Sequence, residues 1–269
     1  MSGHALLERI EHSNGIVTYQ SPRFRERGIR HAFSTRVGGV SPAPFDSLNL
    51  GNPGSGPIDD LTNIDRNFER LQEAIGCTGS RRVRVSQVHG KRVHQATGDE
   101  TWNPPLHEAD AIISARADTL IAIRVADCVP ILLADASGRY VAAVHAGWRG
   151  VVANVVVETV DELGRVFGCK VHELLAAVGP CIGRDAFEVG PEVADEFVGA
   201  GLADAVVPIE DANPHVDLVQ SVVSQLQRAG VELIDVTDRC TYRDRDEFFS
   251  HRRDQGRSGR LAASIIASA

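Results

Sequence analysis

Three short segments each place a potential metal ligand beside an apolar run: SQVHG at 86–90, VADCVP at 125–130 and VHAGWRG at 144–150. His89 follows the strand-like VRVS, Cys128 stands between two apolar runs, and His145 ends a third, followed by Gly147 and Gly150. Side chains at the ends of rigid strands can converge at one edge of a sheet, where loops leave room for a substrate. Two histidines and one thiolate suit zinc, and a catalytic zinc site takes three protein ligands and keeps a fourth position open. The three residues lie 39 and 17 positions apart, so no local metal motif is present. Taken singly, Cys128 also reads as a buried core thiol, and His145 as a hydrogen-bonded core residue.

Other segments suit anion or substrate contacts. FSTRVGG puts Arg36 after a strand and before two glycines, where its planar fork could clamp phosphate or carboxylate. DSLNLG puts Asn49 in a loop able to bond a sugar or base, and FFSHRRDQGRSGR gathers Ser250, His251, Arg252, Arg253 and Arg260 near the C-terminus. Each equally reads as a turn or surface feature. HAGWRG runs into a helix, and its exposed backbone amides suit a phosphate; the alternative is a tight turn that needs glycine for geometry alone. VGPCIG at 178–183 is a similar loop, with Cys181 read as structural.

The elements that must position these residues follow from periodicity. IRHAFST at 29–35 reads as a strand. Over 59–75, Leu61, Ile64, Phe68, Leu71 and Ile75 recur at helical spacing, with Asp59 or Asp60 as cap and Gly76 as stop. LIAIRVADC, VPILLAD and RYVAAVHAG are apolar runs of the kind covered on both faces. A helix over about 150–167 shares Val152, Val155, Val156, Thr159, Leu163 and Phe167 on one side. ELLAAVGP and ELIDV are further strands, RLAASIIASA is a terminal apolar stretch, and Pro191 and the Asn213–Pro214 pair mark helix starts. The mixture is α/β without strict alternation or internal repeat.

The 269 residues suffice for one large core, and no linker divides them. Acidic residues exceed basic ones, 36 to 28, which argues against a nucleic-acid partner; the arginine-dense runs at 23–36 and 239–260 read as solvated surface, with one or two side chains turned inward on an anion. No signal peptide or membrane-length apolar run is present, so no membrane association is expected. Five widely spaced cysteines without a CxxC pair suit a reducing, cytoplasmic setting.

FSTRVGG, SLNLG, SQVHG, EADAIIS, ADCVPILLAD, HAGWRG, VGPCIG and FFSHRRD together, in this order, resemble the laccase-domain (YfiH/YlmD-type) purine nucleoside phosphorylases, some members of which are labelled polyphenol oxidases or peptidoglycan editing factors. The resemblance covers residues 29–269 and leaves 1–28 without an assigned role. It implies a single-domain α/β/β/α sandwich like that of cytotoxic-necrotizing-factor-type cysteine hydrolases. It implies Zn2+ on His89, Cys128 and His145, phosphorolysis of adenosine, inosine and S-methyl-5'-thioadenosine, and deamination of adenosine. Purine nucleosides and phosphate are then the partners; the oligomeric state is not given. Arg36, Asn49 and Ser250 are the expected substrate contacts, with the HAGWRG backbone on phosphate. The nucleobase-deaminase pattern HxE…PCxxC is absent, which leaves Asp127 as a candidate proton shuttle; strand alternation equally turns it into the opposite layer.

Three other readings compete. A copper oxidase lacks support because the only methionine is Met1 and no histidine lies two residues from another, although a His2Cys set would also hold Cu2+. A metal-free amide hydrolase, linked to peptidoglycan editing, would use Cys128 as nucleophile and His145 as base. A non-enzymatic binding module would keep the pocket without turnover.

Overall fold

The computed structural model describes residues 4–54, 56–105 and 107–269. Two sheets stack face to face. One has seven strands in the spatial order Ala5–Leu6, Leu233–Val236, Leu174–Val178, Val129–Asp135, Val141–Ala146, Ala111–Ser114 and Val93–Gln95. The other has six, in the order Glu8–Glu11, Val17–Gln20, His31–Ser34, Leu261–Ile266, Thr119–Val125 and Arg81–Val83. Within the segment left unassigned from sequence, Ala5–Leu6 and Glu8–Glu11 supply an edge strand to each sheet.

Three apolar layers hold this arrangement. Between the sheets, Ile112, Leu132, Ala143 and Leu175 of the larger meet Phe33, Ile121, Ile123 and Ala263 of the smaller, with Phe248 and Phe249 wedged beside them. On the outer face of the larger sheet, helices Val155–Phe167, Pro191–Gly199 and Leu218–Arg228 cover Ile131, Leu133, Ala142 and Val144. On the outer face of the smaller, helix Leu61–Ala74 seats Ile64, Phe68 and Leu71 against Leu120, Ala122 and Ala262. The layers therefore run helix, sheet, sheet, helix. The central strands are buried on both faces, as their unbroken apolar runs require. Each such side chain contributes roughly 1.5–3 kcal/mol by leaving water. Among the described residues, no helix is long and apolar enough to cross a membrane.

The local expectations hold with three corrections. Helix Leu61–Ala74 is capped by Asp60, whose side chain accepts the Thr62 amide; Leu61 at its start is exposed rather than packed. The stretch expected as one helix over 150–167 is two, Trp148–Val152 and Val155–Phe167, because Asn154 takes a left-handed conformation (φ 61°). Gln225 secures the break, its Nε2 donating to Val151 O (2.7 Å) and to Asn154 Oδ1 (2.9 Å). Asn213 and Pro214 start no helix. They lead into strand His215–Val216, and Asp217 caps the following helix by accepting the Gln220 amide.

The chain changes sheets at the point that matters for chemistry. Thr119–Val125 belongs to the smaller sheet, and Val129–Asp135, three residues on, to the larger. Residues 126–128 are the crossing, with Asp127 at φ 84°. The apolar runs on either side of Cys128 are thus not hairpin neighbours; they lie in different layers.

Candidate functional site

The register brings the three ligand candidates together. In the antiparallel pair of Val141–Ala146 with Val129–Asp135, His145 lies opposite Pro130 and Ala146 opposite Val129, so His145 stands beside the start of the strand that Cys128 precedes. Asp110 heads strand Ala111–Ser114 on the other side, and its carbonyl accepts the His145 amide at 2.7 Å. His89 reaches the same place from the loop at 86–90. One ligand atom from each of His89, Cys128 and His145 lies within 4.8 Å of the others. The Cys128 Sγ is 3.9 Å from His89 Nε2, and the two imidazoles meet edge to face with centroids 4.8 Å apart. This is the only such group among the described residues. His145 is buried, Cys128 half-buried and His89 exposed, so the cluster opens to one side.

Asp110 organises the cluster. His145 Nδ1 donates to Asp110 Oδ1 at 2.8 Å, which leaves Nε2 facing the cluster. The same carboxylate accepts the amides of His89 (2.9 Å), Gly90 (2.6 Å) and Val88 (3.3 Å). Those bonds hold the turn in which His89 takes a positive φ of 59°, an unusual conformation for a residue with a Cβ. One side chain thus fixes the ring of one ligand and the backbone of another. Burial pushes the Asp110 carboxyl up, but the His145 bond and the amides outweigh it and the net shift is downward. Burial also pushes the Cys128 thiol up, yet the charge and hydrogen bond of His145, followed by those of His89, bring it down to about 6. Burial lowers His145; Cys128 and Asp110 more than reverse this and raise it to about 9. The cluster therefore favours a thiolate beside positive charge, which is also the state a metal cation would stabilise.

Gly147 has a steric role. A Cβ there would stand 2.6 Å from His89 Cδ2 and 3.2 Å from Cys128 Sγ. This glycine of HAGWRG thus makes room for two ligands. The helix that follows it, Trp148–Val152, is a five-residue turn.

His89, Cys128 and His145 line a cavity of about 580 Å³ with Ser86, Gln87, His251 and three arginines, Arg84, Arg124 and Arg260. The expected substrate contacts are engaged elsewhere. Arg36 donates to Asp46 O (2.7 Å), Asp46 Oδ2 (3.0 Å) and Arg245 O (3.3 Å), and stacks 4.6 Å over Phe249. Asn49 is fully buried; its Nδ2 donates to Asp59 Oδ2, and its Oδ1 accepts the amides of Gly51 and Arg260. Ser250 is fully buried and donates to Asp127 Oδ2 at 3.0 Å. Asp127 is turned away from the cluster: it also accepts Thr241 Oγ1 (2.6 Å) and the Arg252 amide (2.7 Å), so it ties the sheet crossing to the loop that carries His251. Cys181 is a buried free thiol, as expected, and its backbone pairs with that of Cys240. Asp110, Arg84 and Arg124 were missed. Asp110 sits in the EADAIIS segment ahead of a strand, which was the available signal; the two arginines carry no local pattern.

Comparison with known proteins places this geometry in context. A family model described as multi-copper polyphenol oxidoreductase laccase matches residues 30–268. The purine nucleoside phosphorylase YfiH of Escherichia coli is 40% identical over 241 residues, covering 89% of this chain and 94% of that protein. A purine nucleoside phosphorylase of Deinococcus radiodurans is 38% identical over 237 residues, 88% of each chain. Among solved structures, YlmD of Geobacillus stearothermophilus superposes with a TM-score of 0.84 at 30% identity, covering 97% of this chain and 99% of that one. The hypothetical protein YfiH of Bacillus licheniformis gives 0.86 at 26% identity, with the same coverage.

Proposed function

The chain belongs to the laccase-domain family of YfiH-type purine nucleoside phosphorylases, and on that premise we propose that it is a zinc-dependent phosphorylase of adenosine, inosine and S-methyl-5'-thioadenosine that also deaminates adenosine. The observation that carries this reading is the convergence of His89, Cys128 and His145 in one open cavity. At about 580 Å³ the cavity falls within the roughly 300–1,000 Å³ of small-molecule sites.

The donor set fits zinc: one thiolate, two imidazoles, and a carboxylate fixing the tautomer of one of them. His89, Cys128 and His145 would hold the ion, and when bound it supplies Lewis acidity toward an oxygen or water. A His2Cys set also takes copper, but the described residues hold one such cluster rather than several, and nothing else in the cavity suggests oxidase chemistry. In phosphorolysis the bond from the sugar C1' to the purine nitrogen breaks, a C1'–O bond to phosphate forms, and the purine leaves as the protonated base. The exposed His251 stands at the cavity wall, within the segment that Asp127 anchors, and is placed to meet a substrate atom from outside the cluster. In deamination water adds to the purine C6 and ammonia leaves. Asp127 does not serve as its proton shuttle, since its carboxylate is committed to Thr241, Ser250 and Arg252. The five free cysteines support a cytoplasmic setting.

A second reading is favoured by one specific feature. Cys128, His145 and Asp110 form a thiol, a base and an orienting carboxylate, with the thiol held near 6, which is the arrangement of a cysteine hydrolase. Metal content separates the two. Protein purified without added metal is analysed by mass spectrometry and assayed for adenine release from adenosine with and without phosphate. Near-stoichiometric zinc with phosphate-dependent release is expected, and Cys128→Ala is expected to lose both. Metal-free protein that turns over an amide and no nucleoside would establish the hydrolase instead.

A further inference from the structure

The cavity that holds the metal cluster also has a charge pattern of its own. Arg84, Arg124 and Arg260 line it, and none of the described residues lining it is acidic. Arg84 gives its Nε to Trp102 O (2.8 Å) and Nη2 to Asn103 Oδ1 (2.6 Å), with its guanidinium 5.4 Å over the Trp102 ring. Arg260 gives Nη1 to Ser258 O (2.9 Å) and Gly259 O (3.0 Å). These acceptors are neutral, so they orient the guanidiniums without cancelling their charge. Two acids act on this group from outside the cavity lining: Asp65, near Arg84, is paired with Arg82 at 3.3 Å and accepts Trp102 Nε1, and Asp127, whose charge reaches Arg260, is held by Thr241, Ser250 and the Arg252 amide. Arg124 is the most exposed to the imbalance: its Nε is buried with no hydrogen-bond partner.

The positions are built rather than incidental. Gly51 lies against Arg124, so that a Cβ there would stand 2.6 Å from its Cδ and 2.7 Å from its Nη1. Gln87 clasps the Arg124 backbone from both sides, Nε2 to O at 2.7 Å and N to Oε1 at 2.9 Å. The Arg260 amide is held by Asn49. A buried donor without an acceptor is destabilising, and three like charges around one space add repulsion. Burial first, then the charges of Arg84 and Arg260, push Arg124 down to about 10. An anion in the cavity would supply the missing acceptor and offset the repulsion.

We propose that Arg84, Arg124 and Arg260 form an oxyanion subsite for phosphate, in the same cavity as the His89–Cys128–His145 cluster. The inference rests on the phosphorylase reading for its choice of anion. Forked guanidiniums match the several acceptor oxygens of a phosphate dianion, and none of the three is a member of the metal cluster. The same chemistry would bind the phosphate ester of a nucleotide; the commitment here is to inorganic phosphate as co-substrate.

The test uses the full-length protein as wild type, Arg84→Met, Arg124→Met and Arg124→Lys, with Arg165→Gln as a control on the remote helix surface. Inorganic phosphate and AMP are titrated by calorimetry, and adenine release is measured against phosphate and adenosine concentrations. The expected result is a KM for phosphate raised about 10- to 100-fold in each methionine variant, a KM for adenosine within roughly twofold, an intermediate Arg124→Lys, and an unchanged control. Phosphate-dependent turnover whose phosphate KM survives in folded Arg84→Met and Arg124→Met or Arg124→Lys would overturn the subsite and leave the phosphorylase standing. Loss of AMP binding alone would reassign the subsite to a substrate's ester and overturn the commitment to free phosphate. If the wild type releases no adenine, the phosphorylase reading falls by itself. Calorimetry then decides the subsite: phosphate binding that Arg124→Met abolishes supports it, and no binding overturns it.

Discussion

Asp110 serves two ligands with one carboxylate, and its removal separates positioning from ligation. In Asp110→Asn an amide NH2 must face donors that now share a carboxylate: the His145 ring and the amides of Val88, His89 and Gly90. Zinc affinity is expected to fall about 10- to 100-fold, the usual effect of losing an outer-shell partner. Chelator competition measures it, and thermal unfolding is expected to register a further loss of roughly 1–3 kcal/mol. Unchanged affinity would show that the His145 tautomer is fixed some other way. Gly147 makes the complementary case. Its backbone (φ −69°, ψ 165°) suits any residue, so Gly147→Ala introduces only the clash with His89 and Cys128. The melting temperature of the metal-free protein is expected to stay close to that of the wild type while metal content in the purified protein drops well below one equivalent.

Among the elements, the sheet crossing at 126–128 joins structure to chemistry. It sets Cys128 at the mouth of the inter-sheet layer and aims Asp127 at the 250–252 segment. Since Asp127 has φ 84°, Asp127→Gly keeps the backbone and removes only the carboxylate. Amide exchange at Arg252 and its neighbours is expected to accelerate on the order of tenfold or more, matching about 1.4 kcal/mol or more of lost local stability. The amides of strand Leu261–Ile266 keep their protection. Exchange that rises equally in that strand would mean global destabilisation and deny Asp127 a local tethering role.

Across the whole molecule, the four-layer stack leaves one cavity lined by both a soft-metal cluster and three arginines. Metal binding there is linked to pH through the cluster's own protons. Cys128 is held down to about 6 and His145 raised to about 9, so near neutrality the free cluster carries a thiolate and an imidazolium. Binding must displace the His145 proton, and below about 6 the Cys128 proton as well. Zinc affinity is therefore expected to rise with pH from 6 to 9 by about one decade per unit and to fall more steeply below 6. A flat profile in chelator competition across that range would show that binding displaces no proton from the cluster there.

The apolar runs and their periods determined the α/β class and most of the elements, and the types His, Cys and His identified the ligand set, because burial patterns and donor chemistry are local properties of residues. Tertiary structure alone decided what surrounds that set. Arg36 and Asn49 were legible as polar residues near glycines, and Ser250 as part of a polar run behind two phenylalanines, yet long-range hydrogen bonds consume all three in holding loops. Arg84, Arg124 and Arg260 look like ordinary strand and loop arginines in sequence. They come together because Thr119–Val125 pairs on one side with Leu261–Ile266, registering Leu261 against Val125, and on the other with Arg81–Val83, which Arg84 follows. Asp110 and Gly147 gain their roles from an antiparallel register that no spacing of 21 or 58 residues could announce. Which face of a strand meets which loop depends on contacts between residues remote in the chain, and those exist only once the layers have packed.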